Sequence, residues 1–224
     1  MPESVARPDE LRRVALVVPV RGFDDAKSRL SNVLSPIQRR TLAQNCATGV
    51  LRRETKCLKF VVCDDDEVEA WAQTCGAIPI RVGSRGLNAS LHEATPLIVD
   101  RHPVDTLMIV HADLPLSNEL DRVISTLQAP RDLGEGENHV VMVPDRHRGG
   151  TNVLALPHDL IGKWEFAYGA DSFIRHQSEA LRLHCQVEIL ESMFLGLDID
   201  TADDLRHPLV SDVLPILLPD WKPL

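Results

Sequence analysis

Three carboxylates and one cationic loop are the residues of this chain whose types and spacing suit chemistry. Asp113 sits near the end of the apolar run 107–115, Leu-Met-Ile-Val-His-Ala-Asp-Leu-Pro, and Asp198 and Asp200 flank Ile199 far downstream. Carboxylate oxygens are hard ligands, suited to Mg²⁺ when several converge. The segment 19–30, Pro-Val-Arg-Gly-Phe-Asp-Asp-Ala-Lys-Ser-Arg-Leu, carries Arg21, Lys27 and Arg29 around Gly22. Such a glycine lets backbone N–H groups approach a ligand, and the cations suit phosphate oxygens. The plainer alternatives are that Asp113 caps the next helix and that the loop is a solvated surface. The second acidic cluster tips the balance towards a site.

Two further stretches suit anions. The loop 145–152, Asp-Arg-His-Arg-Gly-Gly-Thr-Asn, combines cations, paired glycines and the Thr151 hydroxyl. In 168–173, Tyr-Gly-Ala-Asp-Ser-Phe, Gly169 and Ser172 stand at the start of an amphipathic helix, where backbone donors and the helix dipole favour negative charge. Gly86-Leu87-Asn88 opens another helix, and the Asn88 amide suits either a cap or a nucleobase edge. The run Asp64-Asp65-Asp66 reads as a strand-end turn and helix cap rather than a metal site. His147 reads as a solvated histidine.

These residues need elements to hold them. Apolar runs at 14–18, 60–63, 78–82, 107–113, 140–143 and 153–156 are expected strands, with a weakly alternating edge strand at 185–190. Helical segments fall between them, which implies right-handed crossovers and a mainly parallel sheet. Ser35-Pro36-Ile37-Gln38 is a capped helix start, and Ala43, Cys46, Ala47 and Val50 form its inner face. Asp113 then lies at the carboxyl end of a central strand, where open α/β sheets bind ligands. Residues 195–200 are expected to end a further apolar strand, delivering Asp198 and Asp200 to the same crevice. The domain is expected over 14–207, with a flexible lead-in at 1–13, a linker candidate at 130–138 and a C-terminal packing tail at 208–224. That leucine-rich tail is expected to cover the domain or a second copy in a homodimer.

The bulk properties exclude several classes. A chain of 224 residues suits one α/β domain, and 44% apolar with 25% charged residues is ordinary for a soluble protein. A formal net charge of −9 argues against nucleic acid or an anionic membrane as partner. No run approaches the ~20 apolar residues of a membrane span. Five cysteines with no Cys-x-x-Cys suggest reduced thiols in a cytoplasmic protein without structural zinc.

Taken together, the stretches Pro19-Val20-Arg21-Gly22, Ala26-Lys27-Ser28-Arg29-Leu30, Gly86-Leu87-Asn88, Ala112-Asp113-Leu114-Pro115, Gly150-Thr151-Asn152, 169–173 and Asp198-Ile199-Asp200 resemble the CofC/FbiD family of guanylyltransferases, in the family's order. The resemblance implies a single-domain, Rossmann-like (GT-A-like) nucleotidyltransferase fold. It implies transfer of GMP from GTP to the phosphate of a small phospho-carboxylate: phosphoenolpyruvate, 3-phospho-D-glycerate or 2-phospho-L-lactate. The labile product would pass to the next transferase of coenzyme F-420 biosynthesis. The implied roles are Arg21, Gly22, Lys27, Arg29, Gly86 and Asn88 for the nucleotide, with Asp113 and Lys27 catalytic. Asp113, Asp198 and Asp200 would hold Mg²⁺, while Thr151, Gly169 and Ser172 would hold the acid. Two positions depart from the family pattern: Arg21 replaces the usual lysine, and His111 stands where proline is common. The alternatives are a metal-dependent nucleotide-sugar glycosyltransferase of the same architecture and a non-catalytic nucleotide-binding sensor.

Overall fold

The uninterrupted apolar runs form the middle of one seven-stranded sheet. The computed structural model describes residues 13–24, 26–53, 56–129 and 138–221. Its strands are β1 (Val14–Pro19), β2 (Leu58–Cys63), β3 (Ile78–Arg81), β4 (Thr106–Val110), β5 (His139–Pro144), β6 (Thr151–Pro157) and β7 (Gln186–Ile189). They lie in the order β3-β2-β1-β4-β6-β5-β7. The β1, β2, β3 and β4 pairings are parallel, as is β5 with β7, while β6 runs antiparallel to both of its neighbours. Val110 and Val141 are fully buried, as their uniform apolar surroundings predict, and β7 forms one edge.

Period-two alternation sorts each strand's side chains between two layers. Leu16, Val18, Met108 and Val110 face α1 (Pro36–Arg52), α2 (Asp66–Thr74) and α4 (Leu120–Gln128). Ala15, Val17, Leu107 and Ile109 face α3 (Leu87–Arg101) and α5 (Ser172–Arg182). Local chemistry starts the helices. The Ser35 hydroxyl accepts the Gln38 N–H while the Gln38 side chain accepts the Ser35 N–H, a closed capping box at α1. Asp65 caps α2 by accepting from Val68 N at 3.0 Å, and Asp66 pairs with Arg81, so this acidic run is a turn and cap as expected.

A third apolar cluster sits beneath the site. It joins Leu30, Leu42 and Cys46 to Leu197 and Ile199, closed by α6 (Ala202–Leu205) and α7 (Pro208–Leu217). The leucine-rich C-terminal segment thus covers part of the domain. Most of it is a helix packed on α1, opened by Pro208 where a missing N–H costs nothing. One correction concerns 195–200, which forms no strand: a turn runs into irregular chain outside the sheet. Except for Arg13 and Asn138, the expected lead-in and linker lie outside the described residues. Among the described residues no helix is long and apolar enough to cross a membrane.

Candidate active site

Strand β4 stops at Val110, and the chain turns through His111 and Ala112 to present Asp113 at the sheet's carboxyl edge. The Ile199 N–H donates to the Asp113 carbonyl at 3.3 Å, stitching the 195–200 segment to that turn. Ile199 is fully buried in the third cluster. Its two acidic neighbours consequently face the other way, and oxygens of Asp113, Asp198 and Asp200 all lie within 4.8 Å of one another. The expected convergence holds, although an anchored loop delivers it rather than a strand end.

Lys27 reaches this cluster from the loop after β1. Its backbone is left-handed (φ 55°), and Nζ lies 3.0 Å from Asp113 Oδ2 and 3.2 Å from Asp200 Oδ1. Its nearest opposite charges are thus the carboxylates of the acidic cluster. Arg29, mostly exposed, stands 3.6 Å from Asp200, while Arg21 and Gly22 are exposed at the crevice mouth. Burial opposes charge on the Lys27 amine, but Asp113 and Asp200 outweigh it and hold the pKa above the ordinary value. Burial likewise opposes ionisation of Asp113; Lys27, then His111, overcome it and keep its pKa low. Asp198 has the opposite balance, pushed up to about 6 by burial and then by the charges of Asp113 and Asp200. One ammonium therefore does not neutralise three carboxylates. Asp113 Oδ1 is also buried with no hydrogen-bond partner. An uncompensated oxygen in a converging set of hard donors fits a divalent cation. A crevice of about 350 Å³ opens beside the cluster, lined among others by Arg21, Gly22, Leu87 and His111.

Outside the crevice lining, adjoining it where the His111 ring meets Tyr168 at 5.1 Å, lies a neutral, hydrogen-bonded group. Thr151 opens β6 and Ser172 opens α5; both are buried, and neither they nor Gly169 line the crevice that holds the carboxylates. The Thr151 N–H donates to Ser172 Oγ at 3.0 Å, and Thr151 Oγ1 lies 3.0 Å from His176 Nδ1. Gly169 is exposed, with φ +119°, a conformation open to glycine alone among common residues. Gly86 is the N-cap of α3 with φ +91°, for the same reason. Asn88 neither caps that helix nor presents a free amide. Its Oδ1 accepts the Tyr168 N–H at 2.8 Å and its Nδ2 donates to the Tyr168 carbonyl at 3.1 Å. His147 stays outside the crevice lining, its ring accepting from Arg146.

Comparison with known proteins decides the class. Residues 14–211 match the family model described as "Guanylyl transferase CofC like". The chain belongs to this family. A phosphoenolpyruvate guanylyltransferase from Sphaerobacter thermophilus is 38% identical over 199 residues, covering 85% of this chain and 90% of that protein. A 2-phospho-L-lactate guanylyltransferase from Methanothermobacter thermautotrophicus is 30% identical over 197 residues, covering 86% of this chain and 82% of that protein. Among solved structures, a nucleotidyl transferase from Methanothermobacter superposes with a TM-score of 0.61 at 16% identity, covering 91% of this chain and 99% of the other. That likeness shows the shared fold. The family match, not the fold, favours a guanylyltransferase over the glycosyltransferase and sensor readings.

Three residues escaped the sequence reading of this CofC-like chain. Asp204 accepts from the Asp200 N–H, the Thr201 N–H and the Thr201 hydroxyl, and meets Arg146 at 2.5 Å, so it fixes the backbone beneath Asp200. The pattern Thr201-x-x-Asp204 carried that signal as a capping box. Asp145 folds its carboxylate back onto the N–H groups of His147, Gly149 and Gly150, closing the loop before β6 on itself. A Cβ on Gly150 would sit 2.7 Å from that carboxylate, which explains the glycine. The third is His176, whose position on α5 gave no sign of its partners.

Proposed function

We propose that this chain transfers GMP from GTP to the phosphate of a small phospho-carboxylate, releasing pyrophosphate, as a step of coenzyme F-420 biosynthesis. The acceptor class is phosphoenolpyruvate, 3-phospho-D-glycerate or 2-phospho-L-lactate, and the enzyme works as a soluble cytoplasmic protein. One observation carries the reading: in a chain of this family, three carboxylates and Lys27 meet at the sheet's carboxyl edge beside an open crevice.

Asp113, Asp198 and Asp200 would hold Mg²⁺, which supplies charge neutralisation at the reacting phosphates. The chain's own residues do the rest. Arg21, Lys27 and Arg29, with backbone donors at Gly22, bind the triphosphate; Lys27 leaves the carboxylates once a stronger anion arrives. Gly86 and the turn it opens border the nucleoside, and Asn88 contributes by fixing Tyr168. The exposed backbone at Gly169 receives the phospho-acid, with Thr151 and Ser172 supporting it from below. An acceptor phosphate oxygen attacks the α-phosphorus of GTP, a P–O bond forms, and the bond to the β-phosphate oxygen breaks. Alignment and electrostatics carry such a step, with little covalent help from protein. The product, a mixed phosphoric anhydride, is handed to the next transferase.

The test is pyrophosphate release from GTP with each phospho-acid in parallel. Release that requires an acid and Mg²⁺ supports the reading. GTP binding without release, or release into a sugar-nucleotide assay alone, contradicts it.

A further inference from the structure

His176 lies wholly inside the protein, away from the carboxylates, yet makes two hydrogen bonds of opposite sense. The Ala167 N–H donates to Nε2 at 3.1 Å, so that nitrogen carries a lone pair. In a neutral ring the proton is then on Nδ1, 3.0 Å from Thr151 Oγ1, and the ring donates to the hydroxyl. Ser172 Oγ is likewise already an acceptor, from the Thr151 N–H. Each hydroxyl keeps its own proton, and among the described residues none accepts either one.

The same ring governs the adjoining turn. Ala167 precedes Tyr168, whose ring meets His176 edge-on at 4.7 Å and whose backbone is held at both polar atoms by Asn88. Gly169 follows, and the Ser172 N–H closes the turn on the Gly169 carbonyl at 3.2 Å. Burial, then proximity to His111, holds the His176 pKa down to about 4, against the pull of Glu179. The bonding pattern is therefore kept at neutral pH.

We propose that His176 is a positioning residue for the phospho-carboxylate: its two ring nitrogens tie Thr151 on β6 to the backbone that carries Gly169, setting the pocket and the direction of its hydroxyl protons. This rests on the function proposed above and assigns one residue that the catalytic scheme does not use directly.

The variants His176→Phe, His176→Asn and Thr151→Val separate positioning from bulk stability. Asparagine keeps an N–H near the place of Nδ1, whereas phenylalanine keeps only the volume. With phosphoenolpyruvate as acceptor, His176→Phe should raise its KM at least tenfold while the GTP KM stays within twofold. His176→Asn, which keeps the bond to Thr151 and loses that to Ala167, should recover part of that loss, and His176→Phe added to Thr151→Val should cost less than a further twofold. Equal damage from His176→Phe and His176→Asn, or a matching rise in GTP KM, overturns the proposal. Should His176→Phe fail to fold, ¹⁵N NMR of the wild-type protein decides: the Nδ1–H tautomer is expected, and an Nε2–H tautomer overturns it. Wild-type enzyme that releases no pyrophosphate with any phospho-acid sinks the functional reading instead, and the tautomer measurement still judges His176 separately.

Discussion

The acidic cluster in the crevice and the neutral group that adjoins it through His111 are built on opposite principles. At the acidic end, three carboxylates and Lys27 meet with their charge unbalanced, and Asp113 keeps a buried oxygen with no hydrogen-bond partner among the described residues. At the Gly169 end nearly everything is neutral, and Thr151, Ser172, His176, Asn88 and Tyr168 are joined by hydrogen bonds within 3.1 Å. The first carries excess negative charge suited to a cation; the second holds its backbone turn through its own side chains. A site joining two anionic substrates needs both properties, since charge must be neutralised as it gathers while the acceptor is aimed without large rearrangement.

Breaking the acidic end should have the largest effect. Asp113→Asn removes a central carboxylate, and kcat for pyrophosphate release should fall on the order of 10³-fold, the loss of several kcal/mol of charge stabilisation. Next comes Asp204→Asn, which touches no substrate but loosens the Asp200 backbone; the apparent Mg²⁺ affinity should weaken about 10–100-fold in a metal titration. Lys27→Ala should raise the GTP KM or lower kcat by about tenfold or more, from ~1.5–3 kcal/mol per charged hydrogen bond. Unchanged GTP kinetics would remove the Lys27 loop from the site.

The neutral end is probed by pH. His176 is held near 4 by burial, below the ~6.5 of an unfolded histidine, so the unfolded chain binds the extra proton between those values. Stability should then fall as pH drops from about 6.5 to 4, by up to ~3 kcal/mol. Asp198 works in the opposite direction, being raised to about 6, so the comparison must be wild type against His176→Asn, which cancels the Asp198 contribution. The difference in Tm between the two should shrink or reverse on acidification. The smallest effect is a control at neither end: Ser35→Ala opens the α1 capping box, costing ~1 kcal/mol of stability and leaving the kinetics unchanged.

How much of this was legible in the sequence differs in the same way. The runs behind β1, β4 and β5 and the Ser35 cap were legible because a buried parallel strand or a capping box is written in consecutive residues. The meeting of Asp113 with Asp198 and Asp200 was also legible, since one buried isoleucine between two acids forces both outward. The strand drawn through 195–200 was not there, because Ile199 is held by the third apolar cluster rather than by a ladder. The hydrogen bonds that join Thr151, Ser172 and His176 were not legible. Thr151 and His176 are 25 residues apart, and Asn88 and Tyr168 are 80 apart. Side-chain bonds at such separations leave no periodicity in the chain. The contacts of Lys27 with Asp113 and Asp200, 86 and 173 residues away, were illegible for the same reason.

The central claim is that both ends serve one transfer of a nucleotidyl group. GTP carrying labelled phosphorus at the α position, incubated with Mg²⁺ and phosphoenolpyruvate, tests it most directly when products are resolved by mass. The account predicts that the label appears in an adduct containing both guanosine and the acid, with unlabelled pyrophosphate released in equal amount. Label recovered as free GMP, or pyrophosphate released at the same rate without the acid, would contradict it.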